Sequence, residues 1–307
     1  MLSFQLSFFL SIFINLLSPP PMSPYRDRLY HDVEVLTSIH PARNHANLAS
    51  LDRAADYIAG EFKKLDCRVA VQAFRVERQE YKNVIASFGP EDAERVIVGA
   101  HYDVCGDQPG ADDNASAVAG LLETARLLDA DKPDLPYRVD FVAYSLEEPP
   151  YFASDRMGSA VHAKSLHNAK VRVRGMICYE MIGYFSDAPG SQGFPDPALA
   201  KIYPNTGNFI IVVGKNGQEA FSSKIKAHMK AHSKIDVQSI SFGSTAGLGG
   251  LSDHRNYWQY DYPAVMINDT AFLRNPHYHQ ASDTIDTLDF DKMTEVVRGV
   301  YAALIRL

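Results

Sequence analysis

What the chain has little of narrows the field first. Three cysteines in 307 residues, Cys67, Cys105 and Cys178, are too few and too scattered for a disulfide framework. Any metal site is therefore expected from histidines and carboxylates. Cys67 and Cys178 lie in or beside expected strands and read as buried free thiols. Basic clusters are missing too. With 30 Lys and Arg against 37 Asp and Glu, and a net charge of -7, no face is expected to bind phosphates, which excludes nucleic acid as a partner. No internal repeat or low-complexity block follows residue 22, and no Gly/Ser-rich linker divides the chain. Residues 22–307 are expected to form a single domain, long enough to bury a substantial core.

Long apolar runs are also scarce. The N-terminal MLSFQLSFFLSIFINLL, closed by Pro19-Pro20-Pro21, is short for a membrane span. It has no basic residue ahead of the apolar run and no small-x-small cleavage site. Two readings stand side by side for residues 1–21. As a targeting segment they would export the chain or anchor it to a membrane; with translation starting at Met22 the protein would be cytoplasmic. No other segment is long enough to cross a bilayer. The sequence assigns no oligomeric state.

What is present has alternating periodicities. Leu51, Ala54, Ala55, Ile58, Phe62 and Leu65 recur at helical spacing, and Asn47 or Ser50 is placed to cap that helix. Strand-like runs follow at 68–76, 83–88 and 95–100, and the stretch 115–128 reads as a buried helix. Further strands are expected at 138–145, 171–178, 209–214, 235–240 and 263–267. Helices are expected at 154–165, 218–231 and 290–307. This alternation predicts an α/β fold of three layers, with helices on both faces of a mixed, mostly parallel sheet.

Polar residues interrupt this pattern at or just after the expected strands. The run VDFVAYS ends in Glu147-Glu148-Pro149-Pro150, where the strand's carboxyl end favours a ligand site. VIVGAHYDV, residues 96–104, sends His101 out of a strand with Asp103 two residues on. That spacing suits a carboxylate orienting a ligating imidazole. PGADDNASA, residues 109–117, puts Asp112-Asp113 at the start of the buried helix. They could cap it, or one carboxylate could bridge two cations. Glu180 breaks the apolar run GMICYE, where an ionised carboxylate without a cation or an ion-pair partner is costly. NPHYHQASDT, residues 275–284, carries His277, Tyr278, His279 and Asp283.

Taken together, His101, Asp113, Glu148, Glu180 and His279 are nitrogen and oxygen donors that suit zinc. Five exceed what one tetrahedral ion needs, but would serve two ions sharing a carboxylate, with Glu147 left as general base.

The ordered segments GAHYDV, PGADDNASA, YSLEEPPYF, CYEMIGY, LSDHRNYW and HYHQASDT resemble the co-catalytic zinc aminopeptidases of the bacterial leucyl aminopeptidase type. Glutamate carboxypeptidase and glutaminyl cyclase are related to that family. The resemblance implies a zinc exopeptidase fold and two Zn(2+) per chain, one held by His101 and Glu180 and the other by Glu148 and His279. Asp113 would bridge them, Asp103 would orient His101, Glu147 would be the base, and Tyr278 would hydrogen-bond the tetrahedral intermediate. The family more often has Asp where this chain has Glu180. Ser252-Asp253-His254 falls in a segment near the family's substrate pocket, or is a helix cap with a structural histidine. The Gly-rich stretch 242–251 is a candidate pocket wall. The implied activity is an aminopeptidase acting on a peptide or small amide. The alternatives are a glutaminyl cyclase-like acyltransferase using one zinc, and a non-catalytic binding module.

Overall fold

The computed structural model describes residues 24–307, so the apolar N-terminal segment lies outside the described residues. The eight strands are β1 (Arg68–Val76), β2 (Gln79–Phe88), β3 (Arg95–His101), β4 (Arg138–Tyr144), β5 (Val173–Glu180), β6 (Phe209–Lys215), β7 (Asp236–Phe242) and β8 (Ala264–Asn268). They form one sheet in the order β1-β2-β4-β3-β5-β8-β6-β7. Pairings among β4, β3, β5 and β8 are parallel, as is β6 with β7. The β1–β2, β2–β4 and β6–β8 pairings are antiparallel.

The parallel centre follows from the sequence. β3 and β4 are apolar almost throughout, as strands covered on both faces must be. Alternate residues serve two cores. Val96 and Val98 pack beneath α2 (Leu48–Phe62), α3 (Ala117–Asp131) and α7 (Phe290–Leu304), whereas Ile97 meets α4 (Gly158–Asn168) and α6 (His254–Trp258) on the other face. On α7, Met293, Val296, Val297, Val300 and Leu304 are all buried. Each such side chain contributes about 1.5–3 kcal/mol on leaving water. The three-layer expectation holds.

Three local features differ from the sequence reading. A helix not anticipated, α1 (Pro24–Thr37), places Leu29, Val33 and Leu36 in the core. Its polar composition masks that stripe, and long-range ion pairing secures it: Arg126 on α3 holds Asp32 at 2.6 and 3.0 Å. The helix expected from residue 154 begins at Gly158, after a turn that follows Pro149-Pro150. Cys67 is half-buried rather than buried, with its thiol 3.4 Å from the Phe62 carbonyl. α5 (Glu219–His232) completes the helices. Among the described residues, no helix is long and apolar enough to cross a membrane.

Candidate metal centre

Adjacent parallel strands bring the polar residues together. β4, β3, β5 and β8 end on the same edge of the sheet, and that edge is where ligands of open α/β sheets bind. His101 is the last residue of β3, Glu180 the last of β5, and Glu147-Glu148 follow β4. Asp113 enters from the irregular turn before α3, and His279 from the loop after β8.

Each donor is held by a second set of residues. The Asp103 carboxylate accepts hydrogen bonds from the backbone N–H of Glu147 and of Glu148, both at 3.1 Å. Leu146, just before them, has a φ of 63°, a conformation that L-residues adopt at a cost of about 1–3 kcal/mol when surrounding bonds enforce it. Asp283 likewise accepts from the N–H of Asp112 at 2.9 Å and of Asp113 at 3.1 Å. Below, the buried Arg43 guanidinium donates to the carbonyls of Tyr102, Pro109 and Gly110, tying the His101 and Asp113 loops together. Gly110 has a φ of 63°, and a Cβ there would lie 2.2 Å from Val104 and 2.4 Å from the Asp113 carbonyl. Only glycine fits.

The functional atoms converge. Asp113 divides its carboxylate: Oδ1 lies 3.4 Å from His101 Nε2, and Oδ2 lies 3.1 Å from His279 Nε2. His101 Nε2 is also 3.3 Å from Glu180 Oε2, and His279 Nε2 is 3.4 Å from Glu148 Oε2. Glu147 Oε2 stands 3.9 Å from His101 Nε2, and its carboxylate accepts no hydrogen bond from the described residues. Glu180 is steadied by Ser252 Oγ at 2.5 Å, with its own carbonyl bound by Asn268 Nδ2 at 2.7 Å.

Charge makes this cluster costly unless a cation is present. Asp103, Asp113, Glu147, Glu148, Glu180 and Asp253 are all buried beside two imidazoles and the Arg43 guanidinium, fewer positive groups than carboxylates. Burial pushes Glu147 well above the carboxylate range against the opposing pull of His101, and the neighbouring Glu148 and Glu180 carboxylates push it further up. Burial and then Asp113 raise Glu148 to about 8. Asp113 stays low despite burial because both histidines face it. Burial would lower His279, but Asp113 and Glu148 raise it to about 10. His101 is raised by Glu180 and Glu147 against the same burial penalty. Without metal, protons balance the negative charge.

The donor set fits zinc on geometry as well. Ligands about 2.0–2.1 Å from a tetrahedral ion lie about 3.3–3.4 Å from one another, the spacing of these side chains. Asp113 Oδ1 and Glu148 Oε1 are buried with no hydrogen-bond partner, as atoms awaiting a ligand would be. His101, Asp113 and Glu180 form one group of donor atoms within 4.8 Å of each other.

The remaining expectations divide. Asp103 sits beside His101, but its backbone oxygen, at 3.2 Å, is nearer Nδ1 than its carboxylate is, at 3.5 Å. The carboxylate's hydrogen bonds go instead to the Glu147-Glu148 backbone. Tyr278 stacks on His279 with ring centroids 3.8 Å apart. His277 points away to Ser282. Asp253 begins α6 without a side-chain cap bond; it is buried near His101, and burial raises it to about 7. His254 bonds the Gly249 carbonyl and packs on Trp258, a structural role.

Sequence reasoning missed the supports Arg43, Asn268 and Asn114, the last accepting from the Met181 N–H at 2.9 Å, because their partners lie far away in the chain. Beside the centre, an apolar cavity of about 360 Å³ is lined by Phe209, Ile211, Val213, Phe242, Leu248 and Met266, with Glu180 and Tyr278 on the shared wall.

Comparison with known proteins agrees with this architecture. The profile of peptidase family M28 matches residues 83–304. The Escherichia coli K12 protein YfbL, described as uncharacterized, is 45% identical over 301 residues, covering 95% of this chain and 91% of that one. Leucine aminopeptidase 1 of Arthroderma otae is 26% identical over 225 residues, 69% of this chain, which spans about half (54%) of the relative's length. Among solved structures, the Legionella pneumophila LapA aminopeptidase has a TM-score of 0.72 at 20% identity, covering 92% of this chain and 71% of that one. A Bacteroides thetaiotaomicron glutaminyl cyclase has a TM-score of 0.68 at 18% identity, covering 92% and 98%. With the family profile spanning most of the chain and the sheet edge carrying a zinc-type donor set, the chain belongs to peptidase family M28 and is a metallopeptidase.

Proposed function

We propose that the protein is a two-zinc aminopeptidase that hydrolyses the N-terminal bond of peptides. One observation carries the reading: Asp113 shares its oxygens between His101 and His279, while the Glu147 carboxylate is left unbonded beside them. His101, Glu180 and Asp113 Oδ1 would hold one ion; His279, Glu148 and Asp113 Oδ2 would hold the other. When bound, the pair supplies Lewis acidity that activates a water and polarises the scissile carbonyl.

The chain's own residues do the rest. Glu147 takes the proton of the attacking water and delivers it to the leaving amine. The bond from its backbone N–H to the Asp103 carboxylate fixes the turn that carries it, and its Oε2 stands 3.9 Å from His101 Nε2. Tyr278, which lines the cavity beside the centre, would donate to the oxyanion. The adjoining cavity selects an apolar side chain on the substrate's first residue, because its walls offer little to pair with a charge.

The test is metal content together with turnover of aminoacyl amides by the purified full chain. About two zinc ions per chain and release of apolar N-terminal residues are expected. An N-terminal glutaminyl peptide separates the rival reading: free glutamine marks the peptidase, and pyroglutamate with one zinc marks a cyclase and ends this proposal.

A further inference from the structure

We propose that Cys105 is a thiolate donor to the second metal position, beside Glu148 and His279. The inference rests on the two-metal reading above and adds a ligand of another chemical class. Cys105 Sγ, a Glu148 carboxylate oxygen and a His279 ring nitrogen all lie within 4.8 Å of one another. A cysteine alone would mean little. Here one of its neighbours is itself unsatisfied, since Glu148 Oε1, on a residue only 4% exposed, lacks a hydrogen-bond partner, and His279 Nε2 faces only the carboxylates of Asp113 and Glu148.

The backbone holds the thiol in place. Val104 N–H donates to the Arg43 carbonyl at 3.2 Å, and Asn44 Nδ2 donates to the Gly106 carbonyl at 2.7 Å, so the chain is pinned on both sides of Cys105. The end of β3 thereby serves both positions, with His101 facing one and Cys105, four residues on, facing the other. The other thiols are engaged elsewhere: Cys67 against the Phe62 carbonyl, and Cys178 at 3.3 Å from Ser252 Oγ.

The two positions then differ in kind. The first would have three protein donors, His101, Glu180 and Asp113, and so leave room for a water, as catalytic zinc does. The second has four, Asp113, Glu148, His279 and Cys105, as closed zinc sites do. As a ligand Cys105 would be a thiolate, its S–H proton released to solvent and its sulfur electron pair given to the ion. A soft donor favours zinc or cadmium over manganese or magnesium at this position.

Cobalt(II) titration of the metal-free full chain tests this. A near-ultraviolet thiolate-to-cobalt charge-transfer band should grow with one of two equivalents. It should vanish in Cys105→Ser, whose affinity for that ion should fall about tenfold or more. In the wild-type chain, a thiol reagent with mass mapping should label Cys105 without metal and not with two zinc ions. This readout stands even if the variant folds poorly. Uptake of two cobalt ions with no such band, or a band unchanged in Cys105→Ser, overturns the inference alone. Absence of cobalt uptake overturns the two-metal reading with it.

Discussion

The candidate metal centre and the apolar cavity share a wall, Glu180 and Tyr278, but are built by opposite rules. The centre gathers buried carboxylates at and just after the ends of β3, β4 and β5, where Asp103 and Asp283 accept from the backbone N–H groups of Glu147, Glu148, Asp112 and Asp113 and side chains hold Glu180. The cavity uses ordinary apolar residues from the antiparallel side of the sheet, β6 with β8, and from the Gly-rich stretch after β7. Charge placement is unforgiving, because a misplaced buried carboxylate costs several kcal/mol. Apolar lining is tolerant, since volume matters more than identity. The chemistry should therefore fail steeply when the centre is altered, and selectivity should drift when the cavity is.

Four experiments bear on that contrast. Glu147→Gln should lower kcat about 10²–10⁴-fold while two metals stay bound, because the proton carrier is lost and the five donors remain. Activity within a few-fold of wild type would remove Glu147 from the mechanism. Asp103→Ala strands the N–H groups of Glu147 and Glu148 in the interior, so metal affinity or kcat should fall about 10–100-fold. Competition with a chromophoric chelator measures the first, and an unchanged constant in both would separate Asp103 from the site.

On the cavity side, Leu248→Trp should leave metal content intact. It should reduce kcat/KM for large apolar N-terminal residues by about tenfold relative to alanine, read from paired substrates. Equal losses on both would place the substrate side chain elsewhere.

The smallest effect concerns pH. In metal-free protein, burial raises Glu148 to about 8 and Asp253 and Asp283 to about 7. The unfolded chain releases these protons near the ordinary carboxylate value of about 4. Between these values the folded state binds more protons than the unfolded one, so metal-free stability should fall as pH rises from about 5 to 8. Zinc-loaded protein should show the reverse, since the ligands must lose protons to bind the ion. Denaturant melts at both pH values decide it. A metal-free protein more stable at pH 8 would contradict the charge account of the centre.

These differences also explain what could be read in advance. The layered fold was legible because β3, β4 and β5 are apolar on both faces and alternate with amphipathic helices. The donors stood out because charges such as Glu180 interrupt those runs, and chains rarely tolerate that without a reason. α1 stayed hidden because its few apolar positions sit in a polar segment secured by Arg126, about ninety residues away.

The sequence by itself determined the strands, their buried faces and the candidate donor residues, since those depend on local periodicity and on the cost of burying charge. Tertiary structure alone decided which oxygens of Asp113 face which histidine, and that the Asp103 carboxylate clamps the Glu147-Glu148 turn. It also brought Cys105 beside Glu148 and His279, and closed the cavity from β6, β7 and β8. Hydrogen-bond direction and cavity shape arise only when distant strand ends meet, and no local pattern in the chain encodes that meeting.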